Sequence, residues 1–74
     1  MLDLRFEVLL HENMVLLVRG DADGFLTVWS LLKRRLLLRT KIVEGLGIKR
    51  VKSLGGGRLA CGTERGRLVI VRIV

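Results

Sequence analysis

Short apolar runs alternate along this chain with small clusters of turn-forming residues, which is the pattern of a β-protein built from hairpins. The runs predict seven strands, at residues 6–10, 14–19, 25–31, 36–40, 48–54, 59–63 and 67–74. Most of the breaks contain Asn, Asp or Gly, which favour tight turns. We therefore expect an all-β fold arranged as an antiparallel β-meander.

The third predicted strand is apolar on both of its faces. Phe25, Thr27, Trp29 and Leu31 alternate with a second set that includes Leu26 and Val28. A strand with two apolar faces is typical of a sheet that is covered on both sides. We therefore expect both faces of this strand to be buried.

The fourth predicted strand is the one segment that also fits a helix. Residues 29–43 contain neither Gly nor Pro, and residues 32–39 are good helix formers. Its own pattern leaves helix and strand open. The internal repeat favours the strand.

Residues 18–31 recur, in degraded form, as residues 60–73. The matched pairs are Gly20 and Gly62, Gly24 and Gly66, Leu26 and Leu68, Val28 and Ile70, and Leu31 and Ile73, each 42 positions apart. A period near 40 residues with four strands per unit is typical of β-propeller blades. The sequence thus predicts a single domain or fragment, with unit one at about 6–47 and an incomplete unit two at about 48–74.

Residues 15–31, and more loosely residues 57–73, resemble the second and third strands of a WD-repeat blade. In that family a turn Asp, a Trp on the third strand, an entrance His and a Ser or Thr form a hydrogen-bonded network. Asp23 and Trp29 match two of these positions, but Leu46 stands near the His position and Arg65 stands at the second turn Asp. The resemblance implies a propeller-like array that offers loops and a rim to protein partners. The residues that we assign to its turns and blade core are Gly20, Asp23, Gly24, Trp29, Gly62 and Gly66.

Half of the 74 residues are hydrophobic, and a lone domain of this size cannot easily bury that much apolar surface. Repeat units also need neighbours to bury their faces. We therefore expect a homo-oligomer or membership of a larger complex. A compact barrel or sandwich of the seven strands remains the alternative.

The net charge of +7 is unevenly distributed along the chain. Residues 1–30 hold two basic and five acidic side chains, whereas residues 31–74 hold twelve basic and two acidic ones. The candidate binding residues are Lys33, Arg34, Arg35, Arg39, Lys41, Lys49, Arg50 and Lys52. They suit the phosphates of nucleic acid, protection of solvated strand edges, or pairing with the acidic third of another copy.

The sequence offers no recognisable catalytic set, cofactor motif or spaced metal ligands. His11 and Cys61 are single residues of their type, and residues 55–57 lack the Gly-Lys-Ser/Thr ending of a phosphate-binding loop. The lone cysteine and the short apolar runs favour an intracellular, cytoplasmic protein without membrane contact. The near absence of amide side chains is typical of heat-adapted proteins.

The function that we expect is a non-enzymatic scaffold for protein interaction, built of propeller-like blades. The alternative is a small basic β-protein that binds nucleic acid through its backbone phosphates.

Overall fold

The computed structural model describes residues 4–73 and contains two antiparallel sheets. The first sheet has the order β1-β2-β3-β4 and the second has the order β5-β6-β7. The strands are β1 (Phe6–His11), β2 (Met14–Gly20), β3 (Phe25–Ser30), β4 (Arg35–Lys41), β5 (Ile48–Gly55), β6 (Arg58–Thr63) and β7 (Leu68–Arg72). The predicted all-β meander is confirmed. Val74, the end of the last predicted strand, lies outside the described residues.

Residues 35–41 form a strand, so the helix that their composition allowed is wrong. The preceding turn has no Gly, but Arg34 adopts a φ of 53° and the Ser30 hydroxyl accepts a hydrogen bond from Lys33 N at 3.2 Å. The strand then pairs with β3 through a bulge beside Val28 and Trp29. Pairing within the sheet therefore overrides the local helix propensity.

The core lies between the two sheets. The first sheet contributes Leu9, Leu16, Val18, Leu26 and Val28, the second contributes Ile48, Val51, Leu59 and Cys61, and Val43 comes from the connection. Leu16, Val18, Leu59 and Cys61 are completely inaccessible to solvent. The hydrophobic effect thus favours this stacked arrangement of the two meanders.

Only one face of β3 is buried, so the expectation that both would be is wrong. Leu26, Val28 and Ser30 lie in the core, but Trp29 and the adjoining Leu31 are each 41% exposed. The other sheet covers a single side of the first one. The opposite apolar side is left facing solvent.

The turn between β2 and β3 is held by Asp21 rather than Asp23. Asp21 Oδ1 accepts hydrogen bonds from Asp23 N at 2.9 Å and Phe25 N at 3.0 Å. The Asp23 side chain is exposed and has no hydrogen-bond partner in residues 4–73. Gly24 has a φ of 85°, and a Cβ there would overlap the Val43 carbonyl, so this position requires Gly.

Hydrogen bonds fix the second sheet against the first. Glu7 Oε1 accepts a bond from Ser53 N at 2.8 Å, and the Leu4 carbonyl accepts one from Val51 N at the same distance. The Asp21 carbonyl accepts a third from Ile48 N at 2.9 Å. No helix of the length and apolarity needed to cross a membrane is present in residues 4–73.

Candidate interaction faces of the two sheets

The internal repeat is preserved in the pairing of the strands. Gly20 pairs with Leu26 as Gly62 pairs with Leu68, and Val18 pairs with Val28 as Ala60 pairs with Ile70. The remaining pairs of β2–β3 and β6–β7 keep the same offset of 42 positions. The two hairpins therefore share one register.

Equivalent faces of the two sheets point in the same direction. Val28 is buried against the second sheet, but its equivalent, Ile70, is 54% exposed. Conversely, Leu59 is in the core and its equivalent, Leu17, lies on the solvent side of the first sheet. The sheets are thus stacked head to tail, and the second sheet leaves open the face that the first sheet uses to contact it.

The open face of the first sheet, called here the Trp29 face, carries an apolar row across all four strands. Val8, Leu17, Trp29 and Leu36 are successive cross-strand partners. Val8 is 52% exposed and Leu36 is 47% exposed. Such a continuous apolar row at the surface is typical of an interaction site.

A polar row runs beside the apolar one, through the cross-strand partners Arg19, Thr27 and Arg39. The Arg39 guanidinium lies 3.9 Å from the centroid of the Phe25 ring and 3.5 Å from Asp21 Oδ2. Trp29 and Leu36 line, with these polar side chains, an open cleft of about 290 Å³. The Trp29 face is therefore apolar at its centre and basic along one side.

Asp21 is the titratable group that this arrangement perturbs. Partial burial acts to raise its pKa, but the amides of Phe25 and Asp23 and the Arg39 guanidinium favour the carboxylate. The pKa of Asp21 is therefore lower than its ordinary value of 3.8.

The open face of the second sheet, called here the Ile70 face, has a flat centre made by Ala60 and Gly62 on β6. Arg50 and Lys52 of β5 border it on one side, and β7 borders it on the other with Leu68 and Ile70. Arg58 pairs with Arg72 at one end of the face. Strands β5, β6 and β7 contain no carboxylate, so this face is apolar in part and uniformly basic in charge.

The eight basic residues singled out in the sequence are divided between one turn and two strands of different sheets. Lys33 and Arg34 lie at the turn between β3 and β4, Arg35, Arg39 and Lys41 lie on β4, and the remaining three lie on β5. Lys41 Nζ is 3.2 Å from Glu44 Oε1. The structure does not bring these residues together into one continuous surface.

Most acidic side chains of the described chain are occupied by contacts within it. Glu7 accepts the Ser53 amide, Asp21 accepts the amides of its turn, and Glu64 accepts the Gly47 amide. Glu12 and Asp23 remain as scattered exposed groups at two different turns. They form no acidic surface that matches the basic Ile70 face.

Cys61 is enclosed by the fold, and His11 is half-buried. Cys61 is fully buried, and burial raises the pKa of its thiol from 9.0 to about 11. The His11 ring lies against Gly57, and its Nε2 is buried without a hydrogen-bond partner. No group of three or more His, Cys, Asp or Glu side chains converges in residues 4–73.

Sequence reasoning singled out Trp29 and Arg39 on one face and Arg50, Lys52 and Gly62 on the other, but it missed the apolar row beside Trp29. Val8, Leu17 and Leu36 are separated along the chain, and only the strand register joins them into a row. The one signal for the Ile70 face was the change from Val18 to the smaller Ala60 between the repeats.

No family model, curated protein or solved structure matches this chain.

Proposed function

We propose that this chain is a non-enzymatic interaction scaffold that stacks head to tail with further copies of itself. The Trp29 face of one copy packs on the Ile70 face of the next. The observation that carries this proposal is the head-to-tail relation of the two sheets within one chain. The contact between copies repeats, with equivalent strands, the contact that already forms the core.

The physical drive for this stacking is the apolar surface that the chain leaves exposed. Burying one exposed Leu, Val or Ile side chain contributes about 1.5–3 kcal/mol. Val8, Trp29 and Leu36 on one face and Leu68 and Ile70 on the other are all more than two-fifths exposed. A head-to-tail contact between copies removes both sets from water together.

A heterologous contact of this kind generates a closed ring or an open filament. A ring is the arrangement that the WD-repeat resemblance implies for blades stacked around an axis. The stacked four-stranded and three-stranded meanders support this proposal through their shared register. We therefore propose that several copies close into a ring of propeller-like blades.

The alternative function is binding to nucleic acid through phosphates. Its support is the uniformly basic Ile70 face. The division of the eight candidate basic residues between two sheets weighs against it, because phosphate tracking needs a continuous basic path. A fluorescent oligothymidylate titrated at low and high salt distinguishes the two, since phosphate binding weakens steeply with salt.

The experiment that tests the stacking is a molar-mass measurement on two complementary variants. Trp29→Thr removes the centre of one face, and Ala60→Lys fills the flat centre of the other. Because each variant keeps one intact face, each alone should be a folded monomer and their mixture should form a heterodimer. Leu32→Thr, in the exposed turn after β3, is the matched control and should assemble like the parent chain.

The mixing step separates the possible arrangements. If instead the Trp29 face packs on the Trp29 face of another copy, the Ala60→Lys chain assembles like the parent. Mixing the two variants then yields no heterodimer, which contradicts head-to-tail stacking. A parent chain that is a folded monomer at micromolar concentration overturns the proposal altogether.

A further inference from the structure

The outer edge of β7 presents unpaired backbone groups. Thr63 N donates to the Arg67 carbonyl at 2.9 Å and Ile73 N donates to the Gly57 carbonyl at 2.6 Å, so the odd-numbered residues of this strand bond to β6. Antiparallel pairing alternates from residue to residue. The N–H and C=O groups of Leu68, Ile70 and Arg72 therefore point away from β6, toward the open edge.

This edge lacks the features by which proteins usually block pairing. The β6–β7 ladder has no bulge, and residues 68–71 are all apolar. The open edge of the first sheet differs, since β4 carries a bulge and the charged Arg35, Arg39 and Lys41. Bulges and charges are the common protections of edge strands. The β7 edge is thus suited to accept another strand.

Space for that strand lies beside an uncovered apolar residue. Leu38 on β4 pairs with Val28, so its side chain is on the core side of the first sheet, yet it is 47% exposed. In residues 4–73 the second sheet has no counterpart of β4. A strand added to β7 extends the second sheet in the direction of Leu38.

Charges at the two ends of β7 define the chemistry of the added strand. Arg72, with Arg58 beside it, lies at one end, and the exposed Arg65 and Arg67 lie at the other. Leu68 and Ile70 lie between them. No carboxylate of the described chain is within ion-pairing distance of these arginines.

We propose that the β7 edge binds an extended segment of a partner protein that is apolar in its middle and carries a carboxylate at each end. The segment pairs antiparallel with β7 through the backbone groups of Leu68, Ile70 and Arg72. Its inward side chains lie toward Leu38, and its end carboxylates lie beside the arginines. This site uses the edge of the second sheet, so it does not depend on the stacking of copies through the sheet faces.

The probe is a capped, fluorescently labelled peptide of sequence Glu-Val-Thr-Val-Thr-Val-Glu, titrated against the full chain by fluorescence anisotropy. Its valines face the inner side and its threonines the outer side in the proposed register. We expect saturable binding. The same peptide N-methylated at its two threonines cannot pair and should not bind. A version with Lys in place of both Glu should bind roughly tenfold more weakly, since like charges then face each other.

Two variants at one position provide the matched test in the protein. Ile70→Pro removes an N–H that points to the edge and leaves the β6–β7 ladder intact, as Pro is tolerated at such edge positions. It should abolish peptide binding, whereas Ile70→Val should retain it. The Trp29→Thr chain should bind the peptide like the parent, which separates this site from the stacking proposal.

Three outcomes overturn the proposal. If the N-methylated peptide binds as tightly as the unmethylated one, backbone pairing is not involved. An oligothymidylate that displaces the peptide and binds the Ile70→Pro chain unchanged assigns the arginines to nucleic acid. A fall in molar mass on adding Ile70→Pro to the Trp29→Thr chain, in which the sheet faces no longer stack, together with no peptide binding by the parent, assigns the edge to a second copy.

Discussion

The Ile48 side chain packs directly on Gly20, at a position where the first sheet has no side chain of its own. A Cβ on Gly20 would lie 2.7 Å from Ile48 Cβ. Both residues are buried. The Ile48 amide also donates a hydrogen bond to the carbonyl of Asp21, the residue that follows Gly20. This contact brings the start of the second sheet against the end of β2.

Gly20→Ala should therefore destabilise the fold by about 2–3 kcal/mol, because the added methyl overpacks the contact with Ile48. The matched control is Gly62→Ala, the repeat equivalent, where the new Cβ meets only Arg50 Cβ at 3.8 Å. That change should alter stability by less than about 0.5 kcal/mol. Urea unfolding of both in the Trp29→Thr background measures the difference without any contribution from assembly. Equal effects of the two substitutions would contradict the close packing at Gly20.

Asp21→Ala should cost about 1 kcal/mol of unfolding free energy, because two backbone N–H groups lose their acceptor. Asp23→Ala, two positions along the same turn, should have almost no effect, since its side chain is exposed. Chemical unfolding at neutral pH compares them. A larger loss for the Asp23 variant would contradict the hydrogen bonding in this turn.

The Asp21 carboxylate also predicts that the free energy of unfolding depends on pH in the acid range. The pKa of Asp21 is lower in the folded chain than its ordinary 3.8, so the folded state binds this proton less readily than the unfolded state. Its stabilising contribution is present above the ordinary value and is lost as the pH falls through the folded pKa. Unfolding free energy measured from neutral to acid pH should therefore fall less steeply for Asp21→Ala than for Asp23→Ala.

Cys61 predicts that stability also falls at alkaline pH, in this case as the pH rises. Burial raises its thiol pKa to about 11, whereas the unfolded thiol ionises near 9.0. Because the unfolded state loses this proton first, stability should fall as the pH rises from 9.0 toward 11. Cys61→Ala should lack this component, which the difference between the two unfolding curves against pH measures. Rapid labelling of Cys61 by a thiol reagent in the folded chain would contradict its burial.

Salt should strengthen the head-to-tail assembly. The Trp29 face carries Arg19 and Arg39, and the Ile70 face carries Arg58 and Arg72, so stacking brings like charges near one another. Raising the salt from about 50 mM to about 500 mM screens this repulsion. Sedimentation equilibrium should show tighter association at the higher salt. Weaker association would indicate ion pairing between the acidic and basic parts of different copies.

Local patterns were sufficient to predict the elements of the fold. Alternating apolar runs and Gly or Asp turns located the seven strands, and the 42-residue repeat correctly favoured a strand at residues 35–41. The side of each strand that is covered was not predictable in the same way. Trp29 and Val28 are both hydrophobic, and only the stacking of one sheet on the other decides that Val28 is buried.

The site depended even more on relations that are distant in sequence. The row from Val8 to Leu36 exists because three strand pairings bring its members together. The resemblance assigned Asp23 to the turn, but the hydrogen bonds of the turn are made by Asp21, whose carboxylate reaches the amides two and four residues further along the chain. The basic residues of β4 and β5 are far from one continuous surface because these two strands belong to different sheets.

Trp29 is the only tryptophan of the chain, so its fluorescence reports directly on the Trp29 face. The decisive measurement compares its emission maximum in the parent chain and in Ala60→Lys, both folded and at micromolar concentration. Ala60 and Trp29 lie on opposite open faces of one chain, so only contact between copies connects them. A maximum at shorter wavelength in the parent, shifting to that of Ala60→Lys on dilution, is the predicted result. Identical solvent-exposed emission from both chains at every concentration would contradict head-to-tail stacking.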